Sequence, residues 1–187
     1  MKAWLRHAPN TLSALRLAAA PVTALLILKE YDTAALGVFA VAGLSDALDG
    51  YLAKTFSLTS RFGAWLDPAA DKLLMLASFV TLTVIGAVPL WLTALVIGRD
   101  IAIVSGIFLA KAMNAPLQVK PLIVGKASTV VQVAYIALIL VLLAFDLHLP
   151  ILPRAGVVLV AVFAFWSLIA YAGVWRQAVA RQTRVSS

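Results

Sequence analysis

The chain contains no cysteine, and charged residues make up only 12% of its 187 positions. The first absence excludes a disulfide-stapled secreted scaffold. The scarcity of charge, set against abundant apolar side chains, excludes a disordered chain, which needs low hydrophobicity. Histidine occurs only as His7 and His148, neither with ligand partners near it in sequence. What fills the chain is apolar: 63% of it comes from the AVILMFWYC set, against roughly 45–50% in a soluble domain. Membrane-spanning helices of about 20 residues each, six in number, would use roughly 120 residues and leave the rest for termini and connections. A soluble single-core domain is therefore excluded. The net charge of +7 does not indicate nucleic acid, because the basic residues are dispersed singly between apolar runs and form no stripe.

Six apolar stretches, at about 12–28, 34–52, 69–88, 90–112, 122–145 and 155–174, are each long enough to cross a bilayer as a helix. They lack the period-2 alternation that barrel strands require, so an all-α integral membrane protein with six transmembrane helices is expected. With the N-terminus inside, the cytoplasmic side receives Lys2, Arg6, Lys54, Arg61, Lys111, Lys120, Arg176, Arg181 and Arg184, and the far side only Lys29 and Arg154. That asymmetry places both termini in the cytoplasm, and the expected location is the cell inner membrane. Lys2 and Arg6 before an apolar run also fit a signal peptide, but no small-residue cleavage site follows, so the first stretch is kept as a helix. Pro9, Asn10 and Thr11 suggest an N-cap before it. Lys29-Glu30, the turn around 86–89, and Leu149-Pro150 mark exits to the far side. With no linker or repeat, residues 1–187 are expected to form one domain.

Five of the eight acidic residues, Asp46, Asp49, Asp67, Asp71 and Asp100, fall within or at the edge of apolar stretches. Ionisable groups there are costly and point by default to function. Asp46 and Asp49 are three apart and Asp67 and Asp71 four apart, so each pair shares a helix face. A connection from Lys54 to Gly63 lets the two helices pack antiparallel and gathers the four carboxylates. Such a group is untenable in a poorly hydrated site unless cations neutralise it. All-oxygen ligation without histidine or cysteine points to Mg²⁺ or Mn²⁺ rather than Ca²⁺. Two such ions would clamp a diphosphate and its leaving phosphate. Gly50 and Gly63, on the faces of the two aspartate pairs, let a bulky ligand approach the backbone.

The segment DALDGYLAKTFSLTSRFGAWLDPAAD resembles the signature of the CDP-alcohol phosphatidyltransferase family, matching at Asp46, Asp49, Gly50, Ala53, Gly63, Asp67 and Asp71. It departs at Lys54, where the family usually has Arg, so the charge is kept and the planar fork lost. Asn10, Ser13 and Arg16 look like the family's Asn, Thr and Arg pattern with Ser for Thr. Arg99-Asp100, then Gly125, Lys126, Thr129 and Gln132, look like the branch that makes phosphatidylglycerophosphate and cardiolipin. The resemblance implies attack by an alcohol on the phosphorus joined to diacylglycerol in CDP-diacylglycerol, with CMP leaving. It implies Asp46, Asp49, Asp67 and Asp71 as ligands of two divalent cations, Asp71 also as general base, and a homodimer. Asn10, Ser13, Asp46, Gly50, Lys54 and Gly63 would bind CDP-diacylglycerol; Arg16, Arg99, Lys126 and Thr129 would bind the acceptor. VKPLIVGKASTVVQ after an Arg-Asp pair resembles CMP-forming cardiolipin synthases more than the glycerophosphate-using branch, so phosphatidylglycerol is the expected acceptor and glycerol 3-phosphate the alternative.

Plainer readings stand beside these. Asp67, directly before Pro68, has the form of an N-cap. Arg99 and Asp100 point about 100° apart on a helix and suit separate ion pairs with neighbouring helices. Lys126 and Arg16 are read either as phosphate contacts or as snorkelling side chains. The tryptophans suit interfacial belts. A divalent-cation transporter would also place carboxylates in the membrane, but near the midplane in broken helices, whereas these cluster at one interface. A non-catalytic scaffold would not need the signature.

Overall fold

In the computed structural model the described backbone covers residues 8–56, 63–112 and 122–185, and the described side chains cover 15–45, 69–109 and 122–176. It is all-helical over those residues: α1 (Ala8–Leu28), α2 (Asp32–Phe56), α3 (Gly63–Val84), α4 (Leu90–Ala112), α5 (Ile123–Ala144) and α6 (Ile151–Val185). Several boundaries differ from the sequence expectation. Helix α1 begins at Ala8, which puts Pro9 and Asn10 in its first turn rather than before it; a proline is well suited to a position whose N–H lacks a partner anyway. Helix α3 begins at Gly63, so Asp67 lies inside the helix and is not its N-cap. Helix α6 continues past Val174 to Val185 because the polar segment that follows is made of good helix formers, Arg, Gln and Ala.

Helices α1, α3 and α5 end in the same way. Residues Glu30, Gly86 and Asp146 have φ of 61°, 78° and 51°, the left-handed conformation that closes a helix. At α1, Glu30 N donates to Ile27 O (3.0 Å) and Tyr31 N to Leu26 O (2.9 Å). Equivalent pairs run from Gly86 to Thr83 and Ala87 to Leu82, and from Asp146 to Leu143 and Leu147 to Leu142. These caps satisfy carbonyls at the three exits that the sequence marks.

Two compact units are distinguished. The first contains 1–88 and 136–149; in it α1 packs against both α3 and α2. Its buried residues include Ile27, Phe39, Leu74, Phe79 and Leu82. The expected direct packing of α2 on α3 at the aspartates falls largely on side chains outside the described residues. The second unit contains 89–135 and 150–187, with α4 packed on α6 and Leu92, Val96, Val160 and Ala164 buried.

Among the described residues, three helices are long and apolar enough to cross a membrane: Leu90–Leu109, Ile123–Ala144 and Ile151–Arg176, with mean hydropathy 1.9, 2.3 and 2.4. Leu15–Leu28 and Asp32–Ser45 are shorter apolar segments among the described residues. Beside the apolar core of each unit, large apolar side chains are exposed and several polar ones buried. Ile101, Phe108, Ile123, Phe165 and Ile169 are exposed while Arg16, Thr23, Ser78, Arg99, Ser128, Gln132 and Ser167 are buried, as a bilayer solvent demands. Several hydroxyls are satisfied within their own helix: Ser45 on Val41 O, Ser78 on Leu74 O, Thr81 on Ala77 O and Thr83 on Phe79 O, all at 2.7–2.8 Å.

Candidate functional site

The backbone places the expected residues on three helices. Asn10, Ser13 and Arg16 are on α1; Asp46, Asp49, Gly50 and Lys54 on α2; Gly63, Asp67 and Asp71 on α3. Both aspartate pairs therefore lie within continuous helix at the spacing that aligns them on one face. The side chains of Asn10, Ser13, Asp46, Asp49, Gly50, Lys54, Gly63 and Asp67 lie outside the described residues.

Arg16 and Asp71 are within them, and they meet. The Arg16 side chain is 2% exposed, and its Nη1 donates to Asp71 Oδ1 at 2.5 Å across α1 and α3. Asp71 itself is 39% exposed. A guanidinium buried in an apolar helix pair requires a counter-charge, and a short charge-assisted bond supplies both neutralisation and orientation. Sequence reasoning named both residues but did not pair them, since they are 55 positions apart. Next to Arg16, a cavity of about 410 Å³ opens between α1 and α2. It is apolar along Ala18, Ala19, Val22 and Val38 and reaches Ser45, the residue before Asp46.

Among the described residues no group of three acidic, histidine or cysteine side chains forms a metal site; Asp46, Asp49 and Asp67 are not in that set. The donor chemistry of Asp46, Asp49, Asp67 and Asp71 is carboxylate oxygen throughout, which fits hard divalent cations.

In the second unit, Arg99 is 4% exposed. Its Nε and Nη2 donate to Ser167 Oγ at 3.2 and 2.7 Å, Nη2 also to Gly125 O at 3.4 Å, and Nη1 to Asp100 Oδ1 at 2.6 Å. Arg99 thus pairs with its sequence neighbour Asp100, because the long arginine side chain folds back to it. Lys126 is exposed on the first turn of α5, and the Thr129 hydroxyl donates to the Gly125 carbonyl at 3.2 Å. Deeper in α5, buried Gln132 donates from Nε2 to Ser128 Oγ at 3.2 Å. Ser128 and Ser167 escaped sequence reasoning: single serines in apolar runs carry no periodic signal. Trp91 is exposed at the start of α4, as a belt residue would be, and Trp175 lies over Gly106, where its indole occupies the space of a β-carbon.

Comparison with known proteins identifies the family. The family described as CDP-alcohol phosphatidyltransferase matches residues 6–178. The cardiolipin synthase (CMP-forming) of Rattus norvegicus is 39% identical over 145 residues, covering 69% of this chain and 48% of the relative, and that of Homo sapiens gives the same values. The CDP-diacylglycerol–glycerol-3-phosphate 3-phosphatidyltransferase of Bacillus subtilis is 33% identical over 155 residues, covering 74% of this chain and 79% of the relative. This chain spans about half the length of the two mammalian cardiolipin synthases. With the match running over nearly all of α1 to α6 and taking in both aspartate pairs, the chain belongs to the CDP-alcohol phosphatidyltransferase family.

Proposed function

We propose that this chain transfers a phosphatidyl group from CDP-diacylglycerol to phosphatidylglycerol, forming cardiolipin and releasing CMP. The observation that carries the reading is the Arg16–Asp71 pair: a half-exposed carboxylate, oriented by a buried guanidinium, on the helix that also bears Asp67. The names of the mammalian relatives support the activity and the lipid acceptor.

In the proposed reaction the acceptor hydroxyl oxygen attacks the phosphorus that bears diacylglycerol. The bond from that phosphorus to the CMP oxygen breaks, and the hydroxyl proton passes to the Asp71 carboxylate. Arg16 holds Oδ1 of that carboxylate and fixes its orientation. Asp46, Asp49 and Asp67, with Asp71, would hold two divalent cations, Mg²⁺ or Mn²⁺, which supply charge neutralisation to the diphosphate. Asn10, Ser13, Gly50, Lys54 and Gly63 line the donor's approach; the apolar cavity beside Arg16 suits a substrate whose tails stay in lipid. Of the acceptor residues, exposed Lys126 and half-buried Thr129 make the direct contacts, while Arg16 and Arg99 are held by Asp71 and Ser167 and act from behind. The whole chain works as one transferase domain with six spans, both termini cytoplasmic, the aspartates at the inner face of the cell membrane, and two copies per enzyme.

An acceptor competition tests this. Purified protein in phosphatidylglycerol liposomes with CDP-diacylglycerol, Mg²⁺ and glycerol 3-phosphate should yield cardiolipin and CMP. Exclusive formation of phosphatidylglycerophosphate would assign the other acceptor, which the Bacillus subtilis relative's name favours. No release of CMP with either acceptor would overturn the reading.

A further inference from the structure

Ser167 lies in an apolar run of α6, fully buried. Unlike Ser78 or Thr81, which bond to their own helix, it receives two bonds from Arg99 of α4, at 3.2 and 2.7 Å. A serine oxygen has two lone pairs, so one hydroxyl covers the Nε–Nη2 edge of the guanidinium without cancelling its charge. The remaining bonds of Arg99 go to Asp100 and to the carbonyl of Gly125 on α5. Gly125 is closely enclosed: a β-carbon there would lie 3.1 Å from the Tyr171 hydroxyl oxygen and 3.5 Å from Arg99 Nη2. One guanidinium thus ties together α4, the first turn of α5, and α6. The residue after Gly125 is the exposed Lys126, and Thr129 shares the same carbonyl.

We propose that Ser167 is a positioning residue for the acceptor site: it fixes the Arg99 guanidinium, and Arg99 fixes the α5 turn that presents Lys126. This rests on the assignment of Lys126 to the acceptor's phosphate. An ammonium on a flexible four-carbon stem is only as well placed as the backbone beneath it. Loosening that turn weakens acceptor binding without touching the aspartates on α2 and α3. The planar arginine suits the task because its donors are rigidly arranged and always charged.

The test combines kinetics with a probe that does not depend on turnover. Ser167→Ala and Ser167→Val should raise the acceptor KM about tenfold, the loss expected for a hydrogen bond to a charged group. They should leave kcat within about twofold and the CDP-diacylglycerol KM unchanged, and Ser167→Thr, which keeps the hydroxyl, should restore the acceptor KM. The chain has no cysteine, so a spin label at Ile123→Cys, 85% exposed on the same turn, reports on that turn alone. Its spectrum should become more mobile in the Ala and Val variants and not in Thr. Unchanged spectra in Ala and Val would overturn the proposal, as would greater mobility with no change in acceptor KM, or an equal loss in all kinetic constants. Should the wild type transfer to no acceptor, the functional reading fails, and the spectra still decide whether Ser167 holds the α5 turn.

Discussion

Among the described residues each compact unit buries one arginine, and the two meet carboxylates in different ways. Arg16, 2% exposed, reaches Asp71 on another helix, 55 positions along the chain. Arg99, 4% exposed, pairs with Asp100, its sequence neighbour, and turns its other donors on a serine and a backbone carbonyl. The first arrangement commits the guanidinium to a carboxylate that is itself open to solvent. The second pairs the guanidinium with its sequence neighbour and turns its other donors on neighbouring helices. The same residue type therefore holds an accessible carboxylate in one unit and ties helices together in the other, and only its partners distinguish the two uses.

The sharpest way to break this division is to remove charge from the aspartates of the first unit. Asp46→Asn, Asp49→Asn and Asp67→Asn should each lower CMP release by about a thousandfold or more, since each takes an anionic ligand from a site whose positioning and charge balance account for nearly all of the rate. Isothermal calorimetry should show weaker Mg²⁺-dependent CDP-diacylglycerol binding in all three, and normal binding would contradict the ligand assignment. A smaller loss, about a hundredfold in kcat with nucleotide binding retained, is expected for Asp71→Asn, because a base acts only in the transition state.

Arg16→Met should lower kcat about tenfold, and the Arg16→Met/Asp71→Asn double variant should be no worse than Asp71→Asn alone; residues acting as one unit are not additive. Strictly additive losses would separate the two. In the second unit, Lys126→Ala should raise the acceptor KM about tenfold with little change in kcat, as loss of one charge-assisted contact predicts. The smallest effect belongs to Lys54→Arg, which restores the residue usual in the family and should keep activity within about twofold or tighten donor binding. A large loss there would show a site rebuilt around an ammonium.

How much of this was readable beforehand depended on the range of the signal. The apolar runs announced six helices, and Gly86 and the Lys29-Glu30 pair marked turns correctly, because hydropathy and left-handed closure are local properties. The start of α3 was misplaced to Ala69 since hydropathy discounts Gly63 and Pro68, although both lie in the helix. The placement of Asp46 and Asp49 within α2 and of Asp67 and Asp71 within α3 follows from spacing and a local motif. The meeting of Arg16 with Asp71, and of Ser167 with Arg99 at 68 positions' separation, depends on how helices pack, which no local pattern encodes. Arg99 and Asp100 meet although the helical-wheel angle separates neighbours, because a long flexible side chain closes the gap.

The division of labour is tested most directly by two-substrate steady-state kinetics on Asp71→Asn and Lys126→Ala, with CDP-diacylglycerol and phosphatidylglycerol varied independently in liposomes. The account predicts that Asp71→Asn lowers kcat and leaves both KM values near wild type, while Lys126→Ala raises the phosphatidylglycerol KM alone. If Lys126→Ala lowered kcat and left that KM unchanged, or if Asp71→Asn shifted only the phosphatidylglycerol KM, the assignment of chemistry to one unit and acceptor recognition to the other would be contradicted.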